Sequence, residues 1–168
     1  MGLYIGMSMN SILIIGAGSH GQVVAETAKA CGYQKTEFLD DYSPNAIGKT
    51  DQFEKLAVFY DSVIVSIGNN EVRKKLIHQI QEVGAPLVSL IHPRAYVAPS
   101  ATVGIGSIVL PGAVIHSNAS IGIGCFISIG ALIDHDAVVE DFSHLNTGAI
   151  VGAGKRASGK VDAGVTIG

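Results

Sequence analysis

The stretch VAPSATVGIGSIVLPGAVIHSNASIGIGCFISIGALIDHDAVVEDFSHLNTGAIV, Val97 to Val151, decides the fold. Every sixth residue in it is aliphatic: Val97, Val103, Val109, Ile115, Ile121, Ile127, Ile133, Val139, Leu145 and Val151. Four residues after these lie Ala101, Ser107, Ala113, Ala119, Cys125, Ala131, Ala137, Ser143 and Ala149, all small, and then Lys155. Neither the period of two of a strand nor the period of about 3.6 of a helix holds two residue classes at a fixed six-residue phase. The pattern is that of a left-handed parallel β-helix, in which three hexads, about 18 residues, close one triangular coil. The aliphatic residue points inward from each flat face, and the small residue fits near a corner.

The frame breaks after Val151. The segment GAGKRASGK is basic and glycine-rich, and VDAGVTIG resumes with Val161 and Ile167, in phase with each other but not with Val151. A loop protruding from the prism between Gly154 and Lys160 is expected. The chain stops at Gly168, partway through a hexad. A truncated coil, or an end covered by a partner, is expected there, because an uncapped β-helix leaves strand edges unpaired.

Residues 11–92 follow a different grammar. SILIIGAG reads as a buried parallel strand ending in glycines. QVVAETAKACG has helical spacing, with Gly32 placed to cap its end. TEFLDD, DSVIVSIGNN and PLVSLIH read as three further strands, with the helical EVRKKLIHQIQEVG between the last two. The junction is expected at His92-Pro93, since proline disfavours helix at the residue before it. The predicted fold class is α/β plus all-β. A short leader (1–10) precedes a small Rossmann-like domain (11–92), and a left-handed β-helix domain (93–168) follows.

Composition excludes several roles. Eleven basic residues against 14 acidic ones give a net charge of −3, which is no footprint for nucleic acid. No apolar run approaches a membrane span. Two cysteines, Cys31 and Cys125, form no disulfide framework and fit a reduced, cytoplasmic setting. Cys125 falls on a small core position and reads as packing. The leader MGLYIGMSMN lacks a basic start followed by an apolar core, so no signal peptide is expected, and Met7 or Met9 is an alternative start.

Gly16-Ala17-Gly18-Ser19-His20-Gly21 fits G-x-G-x-x-G, follows a strand, opens a helix, and is trailed by Asp40. Glycines let the backbone approach a phosphate, and the helix N-terminus attracts the anion. The domain is too short for two mononucleotide halves, so a mononucleotide or nucleotide sugar suits it better than a dinucleotide.

GAGSHG, FLDD, SIGNNEVRKKLIHQI, LIHPRA and then hexads holding DHD and EDFSH, in this order, resemble sugar acetyltransferases of the PglD/NeuD type, most nearly the PglD kind. The resemblance runs from about residue 11 over nearly the whole chain. It implies a homotrimer, acetyl-CoA as co-substrate, and a UDP-linked 4-amino-4,6-dideoxy sugar as acceptor; His and Asp both bind zinc, but no zinc-like spacing points to a metal. It implies that the nucleotide sugar meets Gly18, Ser19, His20, Gly21, Asp40, Asp41, Ser66, Ile67, Gly68, Asn69 and Arg73. By position, His135 matches the general base, Asp136 its neighbouring carboxylate, and His144 a second active-site histidine near the acetyl donor. Gly152, Lys155 and Arg156 are expected near coenzyme A. One departure stands out: aspartate flanks His135 on both sides, where the family often has the longer glutamate.

The residue types suit the chemistry. Acetyl transfer to an amine needs a group to take the amine's proton, and histidine titrates near working pH. A carboxylate on the other ring nitrogen fixes the tautomer and stabilises the imidazolium. Asp136 is assigned that part, with Asp134 competing for it. The thioester oxygen turns negative on attack and needs preorganised donors, which His144 or a backbone N–H could supply. His135 and His144 lie half a coil apart, hence on opposite sides of one prism. A site using both is expected between subunits. His78, His92 and His116 read as solvated or corner residues. Two other readings stand: an O-acetyltransferase of sialic acid or a related sugar, and a non-catalytic nucleotide-sugar-binding trimer.

Overall fold

Residues 10–168 are described by a computed structural model of the chain. The alternative starts at Met7 and Met9, and all but the last residue of the expected leader, lie outside the described residues. The N-terminal part is a parallel sheet of β1 (Ser11–Ile15), β2 (Lys35–Leu39) and β3 (Ser62–Val65) in the order β2-β1-β3. All five residues of β1 are buried because it is the central strand with both faces covered, which explains its unbroken apolar run. On one face Ile12 and Ile14 pack with Val24, Ala25 and Ala28 of α1 (Ser19–Ala30). The next short helix, α2 (Phe53–Leu56), precedes β3. On the other face of the sheet, Leu13 and Ile15 pack with Leu76, Ile77 and Ile80 of α3 (Asn70–Glu82). Gly32, at φ 97°, ends α1 with its N–H on the Lys29 carbonyl.

The second part is the left-handed parallel β-helix that the hexads predict. Its two-residue strands stack in three sheets of five, five and four strands. The first face carries Leu90–Ile91, Ile108–Val109, Phe126–Ile127, His144–Leu145 and Lys160–Val161. The second begins with Tyr96–Val97 and the third with Thr102–Val103. The inner column from Val109 to Val151 and the small residues Ala113, Ala119, Cys125, Ala131, Ala137 and Ala149 form one continuous core. Deleting one such aliphatic side chain to alanine typically costs about 2–5 kcal/mol.

The fourth strand expected in the α/β part is not there. Only Leu87 bridges to Val63, and Leu90–Ile91 instead pairs with Ile108–Val109, so the coil starts before His92-Pro93. The outward residues of this first face, Leu90, Ile108 and Phe126, are buried with α1 and β1. The two parts therefore share a core.

No loop protrudes between Gly154 and Lys160. Ala157 holds the inner position in register with Val139, and Leu145 then pairs with Val161. The hexad after Ala157 is shortened by two residues, a tightened corner rather than a loop. The hexad pattern is lost after Val151 because Ala157 puts a small residue in an aliphatic slot. The contraction has a second effect. Ser89 Oγ, Ser107 Oγ and Cys125 Sγ each donate to the carbonyl 15 residues ahead. Ser143 continues this column, but the shortened coil shifts its acceptor, and its buried Oγ is unpartnered.

A third class of position repeats every six residues. From Gly106 to Gly154 each corner places one residue at positive φ, usually glycine. The exceptions are Asn118, Asp136 and Phe142, at φ 58–59°. Side chains in this region are strained, Asn and Asp least so and a bulky ring most. Where glycine is given up, a side chain is needed: Asn118 and Asp136 at the His135 corner, and Phe142 under α3.

Candidate active site

The glycine loop bends between β1 and α1. Gly16 sits at φ 109°, and a Cβ on Gly21 would fall 2.3 Å from the Gly16 carbonyl oxygen, so close turn-to-helix packing demands glycine there. Asp40, after β2, holds the loop: Oδ2 accepts the Ala17 N–H at 2.8 Å, and Oδ1 accepts those of Tyr42 and Ser43. The Ala17 bond, first among these, holds the Asp40 carboxyl below its usual range. A hollow of about 380 Å3 opens here, and Gly18, Ser19, His20, Asp40, Asp41, Ser66, Ile67 and Gly68 line it. Eight of the residues expected to meet the nucleotide sugar thus come together.

Three others do not line it. Gly21 is buried in the helix–strand contact. Asn69 caps α3, its Oδ1 accepting the N–H groups of Glu71 and Val72. Arg73 corrects the sequence reading: it is wholly buried, so its side chain cannot meet a substrate. Its guanidinium bonds instead to the carbonyls of Ile67, Gly68, Gly124 and Phe142 and to Asn70. Nothing in the run EVRKK marks this, because only tertiary packing decides which of its cations turns inward.

Beneath the hollow lies a seam of rings. His20 meets Phe126 edge-on at 4.8 Å and His144 at 5.4 Å, centroid to centroid. His144 is only 4% exposed, and its Nε2 lies 3.5 Å from Ser128 Oγ. Burial, then the charges of His20, Arg73 and Lys160, push its pKa down to about 4. Burial and Arg73 lower His20 as well. At neutral pH both rings are therefore uncharged hydrogen-bonding groups.

His135 is placed differently. It projects from the corner after the second-face strand Leu132–Ile133, exposed to solvent. Its Nδ1 lies 2.7 Å from Asp136 Oδ2, and Asn118 Nδ2 donates to Asp136 Oδ1 at 3.2 Å. Of the two flanking aspartates, Asp136 meets the ring. Asp134 accepts the His135 backbone N–H and lies 3.7 Å from His116. The Asp136 hydrogen bond, and then the Asp134 charge, raise the His135 pKa. With Nδ1–H on the carboxylate, Nε2 carries the lone pair and can accept a proton.

Beside this corner the second face is apolar outward: Tyr96, Val114, Leu132 and Ile150 stack along it, and Tyr96 and Leu132 are exposed. The third face presents Thr102, Ser120, Val138 and Arg156. Arg156 pairs with Glu140 at 3.2 Å on that face, while Gly152 and Lys155 belong to the corner just C-terminal to His135's coil. Among the described residues, no group of three or more His, Cys, Asp or Glu is placed to hold a metal ion, and no helix is long and apolar enough to cross a membrane.

An α/β unit with a glycine loop, sharing its core with a β-helix whose corner carries a His–Asp dyad, defines the hexapeptide-repeat acetyltransferase class. Residues 11–80 match the PglD N-terminal domain family. A UDP-N-acetylbacillosamine N-acetyltransferase of Bacillus subtilis (strain 168) is 32% identical over 114 residues, 60% of this chain and 51% of that protein. The chain thus spans about half the length of this curated relative. The acetyltransferase domain of PglB from Neisseria gonorrhoeae FA1090 is 30% identical, with a TM-score of 0.85 over 94% of this chain and 91% of that one. A perosamine N-acetyltransferase variant from Caulobacter crescentus, in complex with CoA and GDP-perosamine, is 26% identical, with a TM-score of 0.80 over 95% and 89%. The chain belongs to the PglD-type acetyltransferases.

Proposed function

We propose that the chain carries out acetyl-CoA-dependent N-acetylation of the 4-amino group of a nucleotide-linked amino-dideoxy sugar, with UDP as the nucleotide. The observation that carries this reading is the His135–Asp136 dyad, which leaves a basic Nε2 facing solvent on an acetyltransferase β-helix. The names of the relatives support it, since they describe N-acetyltransferases and one complex holding CoA with GDP-perosamine. The sugar nucleotide occupies the glycine-loop hollow. The acceptor amine, deprotonated, attacks the thioester carbonyl of acetyl-CoA. His135 Nε2 takes the proton that the new ammonium sheds, and Asp136 stabilises the imidazolium. The tetrahedral intermediate then collapses, the C–S bond breaks, and the thiolate of coenzyme A leaves and receives the proton held by the His135 imidazolium, directly or through water, which restores the neutral ring. His144, uncharged, is a hydrogen-bonding group near the donor, and Lys155 and Arg156 meet the coenzyme phosphates.

His135 and His144 serve one site only if neighbouring subunits supply them, so we infer a homotrimer. The partly exposed apolar stripe of Tyr96, Val114, Leu132 and Ile150, which borders His135, is the surface it buries. Leu132→Asp is expected to leave circular dichroism unchanged and give monomers by light scattering; trimers would argue for another interface. A soluble cytoplasmic enzyme of glycan biosynthesis fits this substrate.

The test is thiol release from acetyl-CoA with UDP-, dTDP- and GDP-linked 4-amino sugars and with free sialic acid. Release with a UDP-linked amine supports the reading. Release with sialic acid alone would point to O-acetylation, and nucleotide binding without release to a non-catalytic trimer.

A further inference from the structure

Among the described residues, Arg73 heads the wholly buried side chains by volume, and no carboxylate is among its hydrogen-bond partners. A buried guanidinium is costly unless its donors are satisfied, and an apolar residue of similar size often serves stability as well or better. Here the donors are used in two directions. Nε bonds to the Gly124 carbonyl at 2.8 Å and Nη2 to the Phe142 carbonyl at 2.8 Å. Nη1 bonds to the carbonyls of Ile67 at 2.9 Å and Gly68 at 3.3 Å, and Nη2 also to Asn70 Oδ1 at 2.9 Å.

The two directions are the two walls of the ring seam. Gly124 and Phe142 are the positive-φ corners two residues ahead of Phe126 and His144. Phe142 tolerates that backbone because its ring is buried in the α3 core and packs edge-on with His78 at 5.3 Å. On the other wall, Gly68 lines the glycine-loop hollow and faces the His20 ring, where a Cβ would come within 3.2 Å. Arg73 thus reaches from the floor of the hollow to the turns that carry the rings against His20.

We propose that Arg73 is a positioning residue that fixes the nucleotide-sugar hollow relative to His144, through Ile67 and Gly68 on one side and the turns at Gly124 and Phe142 on the other. This rests on the reading of that hollow given above. It makes the α3 cation part of the substrate geometry although it touches no substrate. A planar fork with fixed donor directions suits this task, and a lysine point charge does not.

The test uses histidine-labelled protein and three variants. Arg73→Lys keeps the charge and loses the fork, Arg73→Met loses both, and Asn70→Ala removes one acceptor near the surface. Nuclear magnetic resonance follows the His20–His144 ring contact and the titration of His144. Calorimetry follows UDP, GDP and acetyl-CoA. In Arg73→Lys the ring contact is expected to weaken and UDP or GDP affinity to fall about tenfold, with acetyl-CoA affinity within about twofold. Asn70→Ala moves the same readings less. In Arg73→Met the His144 titration also rises from about 4 toward the ordinary histidine range. Should Arg73→Met fail to fold, the other two variants decide. An unchanged ring contact in Arg73→Lys and Asn70→Ala would overturn the proposal. Equal losses for nucleotide and acetyl-CoA, tracking the melting temperature, would also overturn it by reducing Arg73 to a structural strut. If the wild type binds neither nucleotide, the proposed substrate fails, and the ring contact alone still judges Arg73.

Discussion

Two histidines on one β-helix are built in opposite ways. His135 stands in water at a corner, with aspartate on both sides and a raised pKa. His144 lies in the seam under the α/β unit, packed against His20 and Phe126, with a pKa of about 4. The first arrangement leaves a solvent-facing ring nitrogen able to accept a proton, as the proposed base must, and the second makes a neutral group that neither gains nor sheds a proton at working pH. The difference teaches that in this fold the chemistry of an imidazole is set by what covers its face. The corner is bare in one chain, and the first face is roofed by α1 and the glycine loop.

The comparison breaks most visibly if the base is removed. His135→Ala is expected to lower acetyl transfer about 10²- to 10⁴-fold with a nearly unchanged melting temperature, since the ring is exposed to solvent. A large fall in melting temperature with the activity loss would give His135 a structural part.

The next effect is on stability and belongs to His144. Between about pH 4 and 6.5 the unfolded chain binds a proton at this ring and the folded chain does not. Stability therefore falls as pH drops through that window, by up to about 3 kcal/mol. His20 adds in the same direction. Urea unfolding at pH 5 and 7 measures it, and His144→Gln should flatten the difference. An equal slope in wild type and variant would mean that His144 is not held neutral.

The smallest effect sharpens the base. The Asp136 hydrogen bond is the first cause of the raised His135 pKa. Removing that charge in Asp136→Asn should lower the pKa, so the acid limb of kcat/KM moves to lower pH while the maximum drops. A limb that stays in place would give the orienting part to Asp134.

Much of this was legible in the chain, and what was not has physical reasons. The hexad frame showed the coil because each inner slot admits one residue class. It failed at Ala157, where the slot is filled by a small side chain and a two-residue contraction follows. The six-residue recurrence of glycine at the corners was also present, and its lapses at Asn118, Asp136 and Phe142 mark both special regions. Leu90–Ile91 was misread as part of the α/β sheet because a strand in either sheet needs the same apolar residues. The dyad could be anticipated because its partners are neighbours in sequence. The inward turn of Arg73 could not, because its partners at Gly124 and Phe142 come from the other half of the chain.

The central claim is that the exposed base and the buried seam serve one reaction across a subunit boundary. Mixing His135→Ala and His144→Ala chains after unfolding and refolding tests it most directly. If each site takes His135 from one subunit and His144 from its neighbour, random mixed trimers should recover about a quarter of wild-type sites. Mixed trimers no more active than either variant alone would contradict the account.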